Sequence, residues 1–165
     1  MQLTSEQRRF LWLGQSPVGF GINVVLAGAI GWAMFRGTGT IPLWGESSIG
    51  GDTLGTSFFL PLISCMIVTP LVRSQVRKGA TSAFTGALAS WLRPFQVSVP
   101  ARAVALGFVS LALGGGGAVA LLSVLRVEAF GFAAFLGWKV LYAGVLGALV
   151  SPAIALLALA DRPRR

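Results

Sequence analysis

Residues 49–73 read IGGDTLGTSFFLPLISCMIVTPLVR, and one carboxylate, Asp52, stands at the mouth of an otherwise apolar run. From Thr53 to Val72 there is no charge. As a helix rising ~1.5 Å per residue, a run of that length reaches about 30 Å, the thickness of a bilayer's hydrocarbon core. An acid at that position is conspicuous, because the whole chain has only five acidic residues.

Composition agrees with this reading. Of 165 residues, 55% are hydrophobic and 11% charged, and mean hydropathy is +0.78. A water-exposed domain carries about a quarter charged residues, so the deficit fits a surface that faces lipid. The net charge of +8 does not indicate nucleic acid, because the basic residues fall between apolar runs and form no stripe. The single cysteine, Cys65, lies inside an apolar run and leaves no intrachain disulfide to place. Histidine is absent from the sequence, which removes the commonest general base and the commonest metal ligand.

Four runs are long enough to span, and the expected fold is one all-α domain, a four-helix transmembrane bundle. The expected spans are residues 18–35, 53–72, 103–125 and 140–160. Apolar character already begins at Gly131, and Gly131–Trp138 is read as a lead-in at the interface. A longer, tilted helix is the alternative. Lys and Arg in the connections set the orientation. Arg8, Arg9, Arg73, Arg77, Lys78, Arg93, Arg102, Arg162, Arg164 and Arg165 share one side, against Arg36, Arg126 and the borderline Lys139 on the other. Both termini are therefore expected in the cytoplasm. Arg8 and Arg9 followed by an apolar run and Ala27-Gly28-Ala29 resemble a cleavable signal. The chain starts at Met1 with that segment present, so a retained span is expected.

The connections carry their own signals. Thr4-Ser5-Glu6-Gln7 is a capping box, predicting a short N-terminal surface helix that Pro17 separates from the first span. The outer loop RGTGTIPLWGESSIGGD is expected to be irregular, with Trp44 folding back on the membrane. Phe84, Leu88, Trp91, Leu92 and Phe95 recur at helical spacing. They predict an amphipathic cytoplasmic connecting helix, lying on anionic lipids or packed on the end of the bundle. Val68-Thr69-Pro70 and Val150-Ser151-Pro152, with Arg36 and Arg126 ending the first span of each hairpin, hint at two hairpins related as a parallel repeat.

A few positions stand out as candidates for a pathway or for packing. Asp52 reads first as a helix N-cap, and alternatively as the partner of Lys139, lining a vestibule. Lys139 by itself reads as an interfacial anchor beside Trp138. Asn23, Ala27 and Gly31 share one face of the first span, as do Gly147 and Ser151 in the fourth and Ser110 and Gly114 in the third. Small residues at that spacing let backbones approach. The run Gly114, Gly115, Gly116 and Gly117, in the middle of the third span, reads as a packing surface or as a hinge.

No cofactor, metal site or enzymatic activity is expected from these residues. The expected function is a homo-oligomeric transporter or channel for a small solute or ion in a bacterial inner membrane. A non-catalytic accessory subunit of a larger membrane complex is the alternative. Expected partners are the lipid bilayer, with anionic lipids at the cytoplasmic face, further copies of the chain or a larger membrane protein, and no nucleic acid.

Overall fold

A computed structural model describes residues 3–84, 86, 88 and 90–161, including the backbone but not the side chain of Trp91. Four helices are long and apolar enough to cross a membrane: α1 (Ser5–Phe35), α2 (Ile49–Arg77), α3 (Val99–Val124) and α4 (Phe132–Leu159). Two short strands, β1 (Thr40–Pro42) and β2 (Ala129–Gly131), pair antiparallel at one end, the ribbon end. At the other, basic end, a 3-10 helix occupies Ser90–Phe95.

Four expectations need correction. The N-terminal surface helix is not separate. It opens with the capping box, Thr4 N donating to Gln7 Oε1 at 3.1 Å and Gln7 N to Thr4 Oγ1 at 3.2 Å. It then passes through a π turn at Phe10–Gln15 straight into the span. Proline lacks an N–H and its ring crowds the carbonyl four residues back. The wider turn just before Pro17 accommodates both defects without a break.

The outer loop is not wholly irregular. Ile41 and Leu43 turn inward and are buried with Phe35, Ile49, Leu122 and Phe135, while β1 and β2 satisfy each other's backbone groups. The residues 131–138 are not a segment apart from the fourth span. From Phe132 they form the first two turns of α4, and Phe135 is fully buried under the ribbon.

Finally, the amphipathic connecting helix is not observed as an α-helix. Thr85, Ala87, Ala89 and the Trp91 side chain lie outside the described residues, residues 82–84 have no regular secondary structure, and Pro94 sits within the short 3-10 turn. The apolar stripe does exist, but Phe84, Leu88 and Leu92 point inward. They pack on Leu11, Val72 and the Ala155–Leu159 end of α4, and Phe84 N donates to Leu159 O at 2.9 Å. Of the two placements expected for the stripe, packing on the bundle end is observed.

The helices do not pack in hairpins. α1 packs on α4, α4 on α2, and α2 on α3, whereas α1 and α2 hardly touch. The order in space is α1-α4-α2-α3, and exchanging the two hairpins reproduces the same order reversed. The ribbon obeys the same exchange. An equal spacing of 89 residues separates Phe35 from Val124, the ends of α1 and α3, and Thr40 from Ala129, the starts of β1 and β2. The central pair of the ribbon joins Ile41 to Phe130, which are also 89 apart. Strands that pair about equivalent residues are related by a two-fold axis. The inner helices follow suit, with Pro70 and Pro152 falling 21 and 20 residues past the starts of α2 and α4. Two like-oriented hairpins therefore surround a pseudo-two-fold axis, with α2 and α4 innermost.

Candidate functional site

Where α1 meets α4, the backbones approach closely at glycines. A Cβ on Gly19 would sit 2.7 Å from Gly147 O, and one on Gly147 would sit 2.6 Å from Gly19 O. Asn23 lies over the Gly147 contact, but its amide donates to Gly19 O of its own helix at 2.7 Å and makes no hydrogen bond across it. Farther along the same face, Gly31 leaves room for the stem of Lys139, whose Cδ would be 2.8 Å from an added Cβ.

That stem leads to an ion pair. Lys139 Nζ donates to Asp52 Oδ1, and the two side chains are 5% and 12% exposed. Such burial is tolerable for charges because each supplies the other's counter-charge. The interfacial-anchor reading of Lys139 is therefore overturned: α1 covers the lysine, and its ammonium does not snorkel. The N-cap reading of Asp52 is also overturned. Ser48 caps α2, accepting from Gly51 N at 3.1 Å, and Asp52 sits one turn inside, free to reach α4. Next to the pair, Trp138 Nε1 donates to Thr53 Oγ1 at 3.1 Å.

Because α1 and α2 stay apart, a cleft of about 420 Å³ lies between them, with α4 as its floor. Its walls run from Gln15 to Ile30 on α1 and from Asp52 to Val68 on α2. Sixteen residues of helix correspond to about 24 Å, most of the hydrocarbon depth. The cleft is open along one side, where Ile22, Leu26, Phe59 and Ile63 are all more than half exposed. Asn23 and Ser151 lie along it, and Asp52 and Lys139, at its ribbon end, are the charged members of its lining. Asn23, Asp52 and Lys139 are thus brought to one cleft.

The glycine run is elsewhere. Gly114 and Gly115 close a π turn at Leu111–Gly115. A Cβ on Gly115 would lie 2.6 Å from Ser57 Oγ, and one on Gly114 would lie 3.2 Å from Tyr142 Oη. Among the described residues, a Cβ on Gly116 would approach Leu111 O of its own helix at 3.7 Å, and one on Gly117 would face open space. The first two glycines lie against α2 and α4, and none of the four lines the cleft.

Two features escape a reading of the sequence. Tyr142 and Ser57 share a hydrogen bond of 2.5 Å between α4 and α2, and Ser57 also donates to Thr53 O at 2.6 Å. At the basic end, fully buried Arg102 donates through Nη2 to Asp161 Oδ1 at 2.5 Å, through Nη1 to Oδ2 at 3.0 Å and through Nε to Phe95 O at 2.8 Å. Arg73, 44% exposed, grips the same carboxylate from α2. The available signal was positional, an acid directly after the last apolar run within an otherwise basic end. Among the described residues no cluster of His, Cys, Asp and Glu could hold a metal ion.

Comparison of the chain with known protein families, with curated proteins and with solved structures finds no match. The functional reading rests on the geometry of the cleft.

Proposed function

We propose that this chain is a polytopic protein of a bacterial inner membrane, with both termini cytoplasmic. It acts as a non-enzymatic transport protein for a small amphiphilic solute dissolved in the membrane. The observation that carries this reading is the cleft, which is side-open, nearly as long as the bilayer core is deep, mostly apolar, and ended by a paired acid and base. The paired charges are nearly buried in the protein beside the cleft, where they can meet a polar group of its occupant. The parallel arrangement of two hairpins about an axis along the helices is a construction that transporters use.

The lining favours a membrane-dissolved cargo over a hydrated ion, because a bare ion would meet walls of Ile, Leu, Val and Phe side chains. The tight glycine contacts of α1 with α4 and of α3 with α2 leave little room for a water-filled channel between those pairs.

Native mass spectrometry of the particle released from lipid nanodiscs tests the reading. A particle built of this chain alone, with or without bound lipid, supports it. A stoichiometric complex with a larger membrane protein, seated over α1 and α2, contradicts it and favours the accessory-subunit alternative.

A further inference from the structure

The dimensions and charges of the cleft narrow its occupant. The cleft's walls run about 24 Å along the helices and it is open to one side, a shape that takes a hydrocarbon chain lying along the bundle. Ile22, Leu26, Phe59 and Ile63 present that chain with apolar walls.

The ribbon end of the cleft selects the head. Asp52 lies three residues past the start of α2, about 5 Å along the helix. Just before that start, Trp44 is 59% exposed and its ring packs beside Gly50. An exposed tryptophan at a helix end marks headgroup depth. There the lining carries one negative and one positive group. A purely anionic head would face the Asp52 carboxylate, and a purely cationic one the Lys139 ammonium. A head bearing both charges meets both.

We propose that the cleft binds one hydrocarbon chain of a zwitterionic lipid, with its ammonium against Asp52 and its phosphate against Lys139. This assignment rests on the transport reading above and names its cargo.

The test uses the full chain in nanodiscs doped with phosphatidylethanolamine or phosphatidylglycerol carrying a photoactivatable group in mid-chain, with adducts mapped by mass spectrometry. With the phosphatidylethanolamine probe, adducts on Ile22, Leu26 and Phe59 should exceed those on Leu113 and Val124, which are more exposed still, by about tenfold, as expected for a specific site. The phosphatidylglycerol probe should show no such excess. Asp52→Asn leaves Lys139 without a counter-charge and should reverse the preference of the two probes. Ile63→Trp, at an exposed position independent of the ion pair, should remove the excess without altering the fold.

Equal cleft labelling by both probes in the unmodified protein would overturn the zwitterionic assignment and leave the cargo cleft standing. Adducts spread over α1–α3 in proportion to exposure would overturn both.

Discussion

The two halves of the molecule share a plan and differ in what occupies the space between their helices. In the second half, the region between α3 and α4 holds Tyr142, whose hydroxyl bonds Ser57 and lies against Gly114. At a similar level of the inner helix in the first half stands Phe59, ten residues past its start as Tyr142 is ten past the start of α4. Phe59 turns outward, 58% exposed, and the space beside it is the open cleft. The ionic groups differ in the same sense. Arg102 and Asp161 tie the start of α3 to the end of α4 with a backbone carbonyl included, whereas Asp52 and Lys139 join α2 to α4 at the edge of empty space. The second half is closed by side chains that bond across it, whereas the first keeps an open cleft.

That contrast predicts that substitutions in the closed half act on stability and those in the open half on cargo. Arg102→Met should have the largest effect, about 3–5 kcal/mol, because it leaves a mostly buried carboxylate without its main partner. Reversible unfolding in mixed detergent micelles would measure it. Arg73→Ala, on the same acid but exposed, should cost about 0–1 kcal/mol. Equal losses would show that Asp161 is solvated and that no clamp exists.

Gly115→Ala should follow, at about 1–3 kcal/mol, since the added methyl meets Ser57 and forces a shift. Gly117→Ala, facing open space, should be neutral or stabilise by up to about 1 kcal/mol. The same unfolding assay distinguishes the two glycines, and similar outcomes would refute the packing described for α3 on α2. Tyr142→Phe removes one neutral hydrogen bond and should cost about 0.5–1.5 kcal/mol. Ile63→Trp, in the open half, should stay within about 0.5 kcal/mol of the parent protein while blocking the cleft. A large destabilisation there would mean the cleft is part of the packed core.

Much of this was legible in the sequence, for physical reasons that can be named. Uncharged runs of span length identify the four helices, and Thr4 with Gln7 identifies the first cap. Asp52 stands out as one of only five acids in the chain, and Lys139 as the one charge in the apolar stretch 131–160. What resisted reading depends on long-range pairing or on compensation. The run through Pro17 is continuous because a π turn adjusts the register, and no residue type announces such a turn. The ribbon joins three-residue strands 89 positions apart, too short to show any alternation. Arg102 was read as one more positive charge setting orientation, because nothing local distinguishes a buried arginine from an exposed one. The cleft is an absence of contact between α1 and α2, and sequence patterns report contacts.

The central claim is that the open half carries a zwitterionic lipid. It is tested most directly by transbilayer movement of phosphatidylethanolamine in proteoliposomes, followed with a membrane-impermeant amine reagent that modifies outer-leaflet lipid only. The inner-leaflet pool should become reactive faster in vesicles holding the unmodified protein than in empty vesicles, and Ile63→Trp should return the rate to that of empty vesicles. Equal rates for the protein, the variant and empty vesicles would contradict the account.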